Sequence, residues 1–374
     1  MKIGIDVSSV QTRMAGIGRF TYDLASHLVR MDQKNEYVLH GVSFSLDYQR
    51  LVPLGRFPNV TLNLYKIPGN IKRFYWNKLR FPSVELLTGK MDVFHATEFV
   101  MPPFKKKKVV TIHDLIFKRF PQYFPKYVLK MDNVIKKSVE AADIVFTDSK
   151  STKRDVEEFY HKEESRVHVV YGGVNKDFRK IDRTRFSAVL GNKYNINDDY
   201  ILFVGTLEPR KNIIMLVKSY MLFKEKTGLK TKLVIIGKKG WYYNEIFAAI
   251  EESRWKDDIV FLEYVDDRDL PYFYSGAKAF VYLSLYEGFG LPVLEAMACG
   301  TPVITSNCSS IPEIVGSSGL MVDANDMEKA AFYIEKLLID KDFHGQNSES
   351  CLKRAGFSSW EESAKKVISL YNSL

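Results

Sequence analysis

Short apolar runs alternate with helix-spaced stretches along this chain, and the pattern constrains its fold more than any single motif. Strand-like runs fall at 2–7, 36–42, 60–67, 92–96, 109–113, 144–148 and 167–171. Helical spacing fits between them at 17–31, 71–87, 127–142 and 150–160. Alternation of this kind places helices over both faces of a parallel sheet. The stretch 172–199 mixes glycine, asparagine and charge without a clear period and reads as a linker region. The alternation then restarts. A strand at 200–204 precedes a helix at 212–227 with Ile213, Leu216, Val217, Tyr220 and Phe223 on one side. Further strands follow at 232–236, 259–261, 279–283 and 302–305.

A chain of 374 residues exceeds what one ordinary core supports. The expected architecture is therefore α/β, with two Rossmann-like domains facing each other across a cleft. Residues 1–180 form the first and 181–356 the second, and a last helix within 357–374 crosses back to the first. Open α/β sheets bind ligands beyond the carboxyl ends of their strands, so the site is expected in that cleft.

The net charge of +9 is unevenly spread: residues 1–180 carry 31 Lys and Arg against 19 Asp and Glu. A basic first half points to an anionic partner there, whether lipid phosphate, membrane surface or nucleic acid. No apolar run reaches the roughly 18–20 residues that span a bilayer. The start, Met1 to Val7, alternates like a strand and lacks the pattern of a signal peptide. Three cysteines without metal spacing fit reduced cytosolic thiols.

The densest chemical signal is Glu287-Gly-Phe-Gly-Leu-Pro-Val-Leu-Glu295, which follows a strand-like run. Gly288 and Gly290 let backbone N–H groups approach a ligand, and Pro292 is tolerated in a first helical turn. The two carboxylates supply acceptors for hydroxyls, and the helix start favours negative charge. A second element runs from Gly205 to Asn212, where Arg210 and Lys211 open a helix. Cations there, added to the helix dipole, make a diphosphate site. Gly16 and Gly18 form a turn opening the first helix, without the third glycine of a dinucleotide fingerprint. His113 and Asp114 end an apolar strand, where a neutral imidazole would hydrogen-bond a hydroxyl. His95 is a weaker candidate of the same kind. No loop Asp-x-Asp pair of the sort that holds a divalent ion against a diphosphate is read, nor a Cys/His ligand set.

Taken together, these residues resemble the family 4 glycosyltransferases, which have the GT-B fold. The likeness covers nearly the whole chain. It rests on the Gly16/Gly18 loop, His113-Asp114, Gly205 to Asn212, the turn Glu263-Tyr-Val265, and the Glu287/Glu295 element with its trailing Ala296-Met-Ala-Cys-Gly-Thr-Pro-Val303. Ala15, where many members carry glycine, departs from the pattern. The resemblance implies transfer of a sugar from a nucleotide donor with retention at the anomeric carbon. It implies that Arg210 and Lys211 hold the donor diphosphate and that Glu295 binds the ribose. Glu287, Gly288 and the backbone at Phe289, Gly290 and Leu291 would hold the sugar and its phosphate. The base would meet the turn at Val265; Gly205 would belong to the donor loop, Gly16 and Gly18 would approach the diphosphate, and His113 would contact the transferred sugar.

The implied enzyme is a metal-independent hexosyltransferase without a cofactor, the nucleotide sugar being a substrate. Likeness to bacterial mannosyltransferases of surface polysaccharide synthesis makes GDP-mannose the first choice of donor; UDP-hexoses and dTDP-rhamnose stay open. The acceptor is a saccharide or a lipid-diphosphate-linked saccharide, and no nucleic acid is expected. The segments 71–80 and 116–127 mix aromatics with cations. They fit a cytoplasmic protein peripheral on the inner face of an anionic membrane. Two other readings are a nucleotide-sugar 2-epimerase of the same fold and a non-enzymatic nucleic-acid-binding protein. Against the latter, the cations form no single helix stripe.

Overall fold

The computed structural model describes residues 1–14, 16–69, 71, 74–79 and 81–374. The chain divides into two units. The first is Met1–Pro121, Pro125–Gly173 and Ser358–Leu374; the second is Gln122–Phe124 and Val174–Phe357.

The first unit holds a parallel seven-stranded sheet. Its strands are β1 (Lys2–Asp6), β2 (Glu36–Val42), β3 (Val60–Tyr65), β4 (Val93–Ala96), β5 (Lys107–Ile112), β6 (Ile144–Thr147) and β7 (Val167–Val169), in the order β3-β2-β1-β4-β5-β6-β7. The order reverses between β1 and β4, which pair Ile3 with Val93 and Ile5 with His95. Their apolar residues pack on Phe20, Leu24 and Leu28 of the helix Gly16–Met31. The helix Trp360–Asn372 completes this core with Trp360, Val367 and Tyr371. Ser358 Oγ donates to Gly172 O at 2.7 Å and Ser363 Oγ to Tyr171 O at 2.6 Å, which fastens the end of the chain to the segment after β7.

The second unit holds a parallel six-stranded sheet. Its strands are β8 (Tyr200–Val204), β9 (Lys232–Ile236), β10 (Ile259–Leu262), β11 (Ala279–Tyr282), β12 (Val303–Ser306) and β13 (Leu320–Val322), in the order β10-β9-β8-β11-β12-β13. Its reversal lies between β8 and β11, with Phe280 beside Leu202. β8 and β11 are buried along their whole length, as continuous apolar strands of a sheet covered on both faces should be.

Four sequence expectations are corrected. The helix expected at 71–87 is replaced by a π-helical turn, Phe74–Leu79, and a short helix, Glu85–Thr88. Pro82 between them cannot continue a helical ladder. Asn70, Lys72, Arg73 and Arg80 of that basic segment lie outside the described residues, as does Ala15. The helix expected at 127–142 starts at Asp132, after a separate turn of helix at Lys126–Leu129. The supposed linker 172–199 contains the helix Arg183–Tyr194, closed by Asn195 at φ 55°. Leu190 is its one buried residue, so the helix left little apolar period to read. Finally, the three-residue β13 was not among the strands expected from the sequence.

Candidate functional site

The loops that follow β8 and β11 flank the reversal of the second sheet, the position where an open α/β sheet leaves a crevice. After β8 the chain makes a turn of 3-10 helix, Pro209–Lys211, and Asn212 takes a left-handed conformation at φ 53° before the helix Ile213–Thr227. Asparagine is among the few non-glycine residues that adopt this backbone readily. Its Nδ2 donates to Leu283 O at 3.2 Å and Ala324 O at 2.7 Å. Leu285 N donates to Arg210 O at 2.8 Å. These bonds lock the two loops together.

The lock brings two cations onto one carboxylate. Lys211 Nζ lies 2.6 Å from Glu287 Oε1 and donates to Tyr282 Oη at 2.7 Å. Arg210 Nη1 lies 2.9 Å from Glu287 Oε2 and donates to Tyr286 O at 3.2 Å. Arg210 Nε lies 2.6 Å from Glu208 Oε1. Glu208, Lys211 and Glu287 are 2%, 7% and 5% exposed. Burial acts to raise the Glu287 carboxyl, but Lys211 and Arg210 outweigh it and hold the group at about 2. Burial, then neighbouring Arg210, draws Lys211 below the usual ammonium range against the pull of Glu287 and Glu208. The network is a low-dielectric cluster in which each charge depends on the others.

The turn that carries Glu287 is shaped from a third direction. Ser309 Oγ accepts from Glu287 N at 2.8 Å, while Ser310 Oγ donates to Phe289 O at 2.5 Å and reaches Glu287 O at 3.0 Å. Gly290 has φ 116°, and a Cβ there would lie 2.8 Å from Ile311 Cδ1, so glycine is demanded twice over. The helix Leu291–Ala298 begins here, with Pro292 in its first turn and no side-chain cap. Glu295 lies in that helix, buried, and its Oε2 accepts from Tyr274 Oη at 2.8 Å. Val265 is buried and Tyr264 beside it is exposed. Gly205 and Gly288 sit in the two loops that meet.

The structure thus brings together Arg210, Lys211 and Glu287, and it places Glu295 one helical step further along. Sequence reasoning missed Glu208, Tyr282, Tyr274, Ser309 and Ser310. Only Glu208 left a trace, as an acid two residues before an arginine in a loop. The sequence does contain the letters of an Asp-x-Asp pair, Asp267-Arg268-Asp269, contrary to expectation. Asp269 is held by Lys193 and accepts from Tyr194 Oη at 2.6 Å.

In the first unit, His113 follows β5 and is buried. Its Nδ1 lies 2.7 Å from Asp148 Oδ2 and its Nε2 2.8 Å from Thr97 O. A carbonyl only accepts, so Nε2 carries hydrogen, and one further proton is shared between Nδ1 and Asp148. Burial opposes charge on His113, yet Asp148 raises it; burial raises Asp148 in turn. Both ring nitrogens, which the sequence reading had available for a hydroxyl, are thus engaged within the unit. His95 is likewise bound, to Tyr371 Oη at 2.6 Å and Thr111 Oγ1 at 2.7 Å, and burial keeps it neutral, at about 3. Gly18 sits where a Cβ would lie 2.4 Å from Ser9 O, a packing demand; at Gly16 a Cβ would meet nothing within 4 Å.

The chain as a whole is similar to known proteins. Residues 14–178 match the model of Glycosyltransferase Family 4, and residues 190–355 that of Glycosyl transferases group 1. The chain is 30% identical over 391 residues to O-antigen chain mannosyltransferase B of Escherichia coli, covering all of both chains. It is 31% identical over 273 residues to the serotype-specific mannosyltransferase WbdA of Escherichia coli, covering 70% of this chain and 33% of that protein. Among solved structures, Anabaena HepE in complex with UDP-glucose superimposes with a TM-score of 0.78 at 17% identity, over all of both chains. The fold is GT-B.

Proposed function

We propose a reaction for this chain, which belongs to the family 4 glycosyltransferases. It transfers a hexose, mannose from GDP-mannose, to a saccharide or lipid-linked saccharide acceptor in the synthesis of a cell-surface polysaccharide. The proposal of mannose draws on the mannosyltransferase relatives. The observation that carries the reading is the pair Arg210 and Lys211, the lysine buried and the arginine half-buried, fixed on Glu287 at the reversal of the second sheet.

A nucleoside diphosphate leaves readily only when its developing charge is met by groups already in place. Arg210, Lys211 and the uncapped start of the helix Leu291–Ala298 supply that charge without a metal ion or cofactor. The donor phosphate competes with Glu287 for the two cations, so Glu287 sets how strongly they attract the ground state. The backbone at Phe289, Gly290 and Leu291 holds the donor phosphate and sugar, Glu295 the ribose, and the turn at Val265 the base. His113 is a donor to the sugar only by rearranging its bond to Thr97 or Asp148. Transfer proceeds with retention. The acceptor hydroxyl attacks the oxocarbenium-like carbon from the face that the diphosphate leaves, and a departing phosphate oxygen takes its proton. Thermal-shift measurement against GDP, UDP and dTDP and their sugars tests the donor. A shift with none of them removes the reading.

The enzyme works at the cytoplasmic face of an anionic membrane. No helix among the described residues is long and apolar enough to cross one. Ile71, Phe74 and Tyr75 stand exposed in the basic segment 71–80, and Tyr127 in the segment 116–127, as interfacial anchors would. Liposome sedimentation with anionic lipid at low and moderate salt tests this; no binding in either condition removes it.

A further inference from the structure

We propose that Glu208 is the positioning residue that sets the Arg210 guanidinium for the leaving diphosphate. The inference rests on the proposed role of Arg210 and adds a residue to that machinery. Glu208 is the last extended residue before the turn Pro209–Lys211, at φ −149° and ψ 155°. It touches both cation-bearing residues at once. Its backbone carbonyl accepts from Lys211 N at 3.0 Å, and its carboxylate lies 2.6 Å from Arg210 Nε. A carboxylate this deeply buried is retained only when something compensates its desolvation.

The geometry gives the compensation a direction. An arginine held at Nη1 alone pivots about its Cδ–Nε bond. Holding Nε as well fixes the plane of the guanidinium, because its donors form a rigid fork. Glu287 fixes Nη1 and Glu208 fixes Nε, so the plane is defined from both sides. The charges also balance. Arg210 and Lys211 face Glu208 and Glu287. Without Glu208, one carboxylate would be left to serve both cations, and Arg210 would be drawn fully onto Glu287. That position is wrong for a charge that grows on the donor, and misplacement of about 1 Å costs on the order of 100-fold in rate.

The test uses the full chain, following nucleotide release from GDP-mannose, UDP-glucose and dTDP-rhamnose in the absence of acceptor. The variants are Glu208→Gln, which keeps shape and loses charge, Arg210→Ala, and the two combined. On the donor that the wild type hydrolyses, Glu208→Gln is expected to lower kcat about 10- to 100-fold, with KM little changed. In the double variant it adds nothing to the loss caused by Arg210→Ala, since residues acting through one another are not additive. A purely structural role would instead lower stability and multiply with Arg210→Ala. Wild-type turnover in Glu208→Gln, with Arg210→Ala impaired, overturns the inference and leaves the proposed function standing. Wild-type turnover in Arg210→Ala overturns the role of Arg210 itself. A crystal structure of Glu208→Gln with the guanidinium unmoved overturns the inference whatever donor is used.

Discussion

The two sheets reverse strand order in the same way and treat their polar groups differently there. In the first unit, the side chains near the β1–β4 reversal bind mainly to groups of their own unit. His113 is bound by Asp148 and Thr97 O, and Thr97 Oγ1 donates to Asp6 O at 2.6 Å. In the second unit, the β8–β11 reversal gathers two cations and two carboxylates in one buried cluster. One topology therefore supports a network of internal hydrogen bonds in one place and a charged network in the other. The sheet supplies the crevice; the residues at the strand ends decide whether it is a place to stabilise the fold or to handle charge.

The largest test of that contrast is Lys211→Ala. If the second reversal is built for a leaving diphosphate, turnover falls roughly 1,000-fold in a nucleotide-release assay. An unchanged rate would make the cluster structural, like its counterpart. Next is Glu287→Gln. With its carboxyl held at about 2 against an ordinary 4.5, Glu287 contributes stability above pH 4.5 that is lost as pH falls through about 2, on the order of 3 kcal/mol. The gap in Tm between wild type and variant should therefore close across that acid range; a gap independent of pH would contradict the pairing.

Asp148→Asn probes the first reversal. It should destabilise the protein by about 3–5 kcal/mol, as expected for a buried pair losing one partner, while the affinity for nucleotide stays as in the wild type. The sign of its pH dependence is opposite to that of Glu287. His113 is raised above its ordinary 6.5, so the stability it gains is full below 6.5 and fades as pH rises through its folded value. Calorimetry across pH 5 to 9 reads this as a loss largest at low pH. The smallest effect belongs to Gly16→Ala, where the new methyl meets open space; stability should stay within about 0.5 kcal/mol. Gly18→Ala, pressed on Ser9 O, should lower Tm clearly. If Gly16→Ala weakens nucleotide-sugar binding at unchanged Tm, Gly16 has a ligand-binding role and the first reversal does more than bind groups of its own unit.

Much of the second-unit site was legible. Arg210, Lys211 and Glu287 are each marked by local sequence: cations where a helix start usually prefers acids, and a carboxylate ahead of a glycine turn. Their meeting was not legible, because it depends on β8 and β11 being neighbours although β9 and β10 intervene in the chain. For the same reason Tyr274 and Ser309 escaped notice; hydroxyls carry no pattern until a fold places them. His113 was found as a residue but its partner was not, since Asp148 lies on another strand's end, 35 positions away. The helix Arg183–Tyr194 was missed because its single buried leucine gave no period.

By itself the sequence determined the strands other than β13, most of the long helices and the identity of the charged residues, because apolar period and glycine or proline punctuation act over a few residues. Tertiary structure alone decided which carboxylate meets which cation and how many protons a buried histidine shares. It also decided which side chains of the returning last helix, Trp360 and Tyr371, enter the core begun by Ile3 and Ile5. Those outcomes follow from strand order and burial, and both are properties of the packed chain that no local window contains.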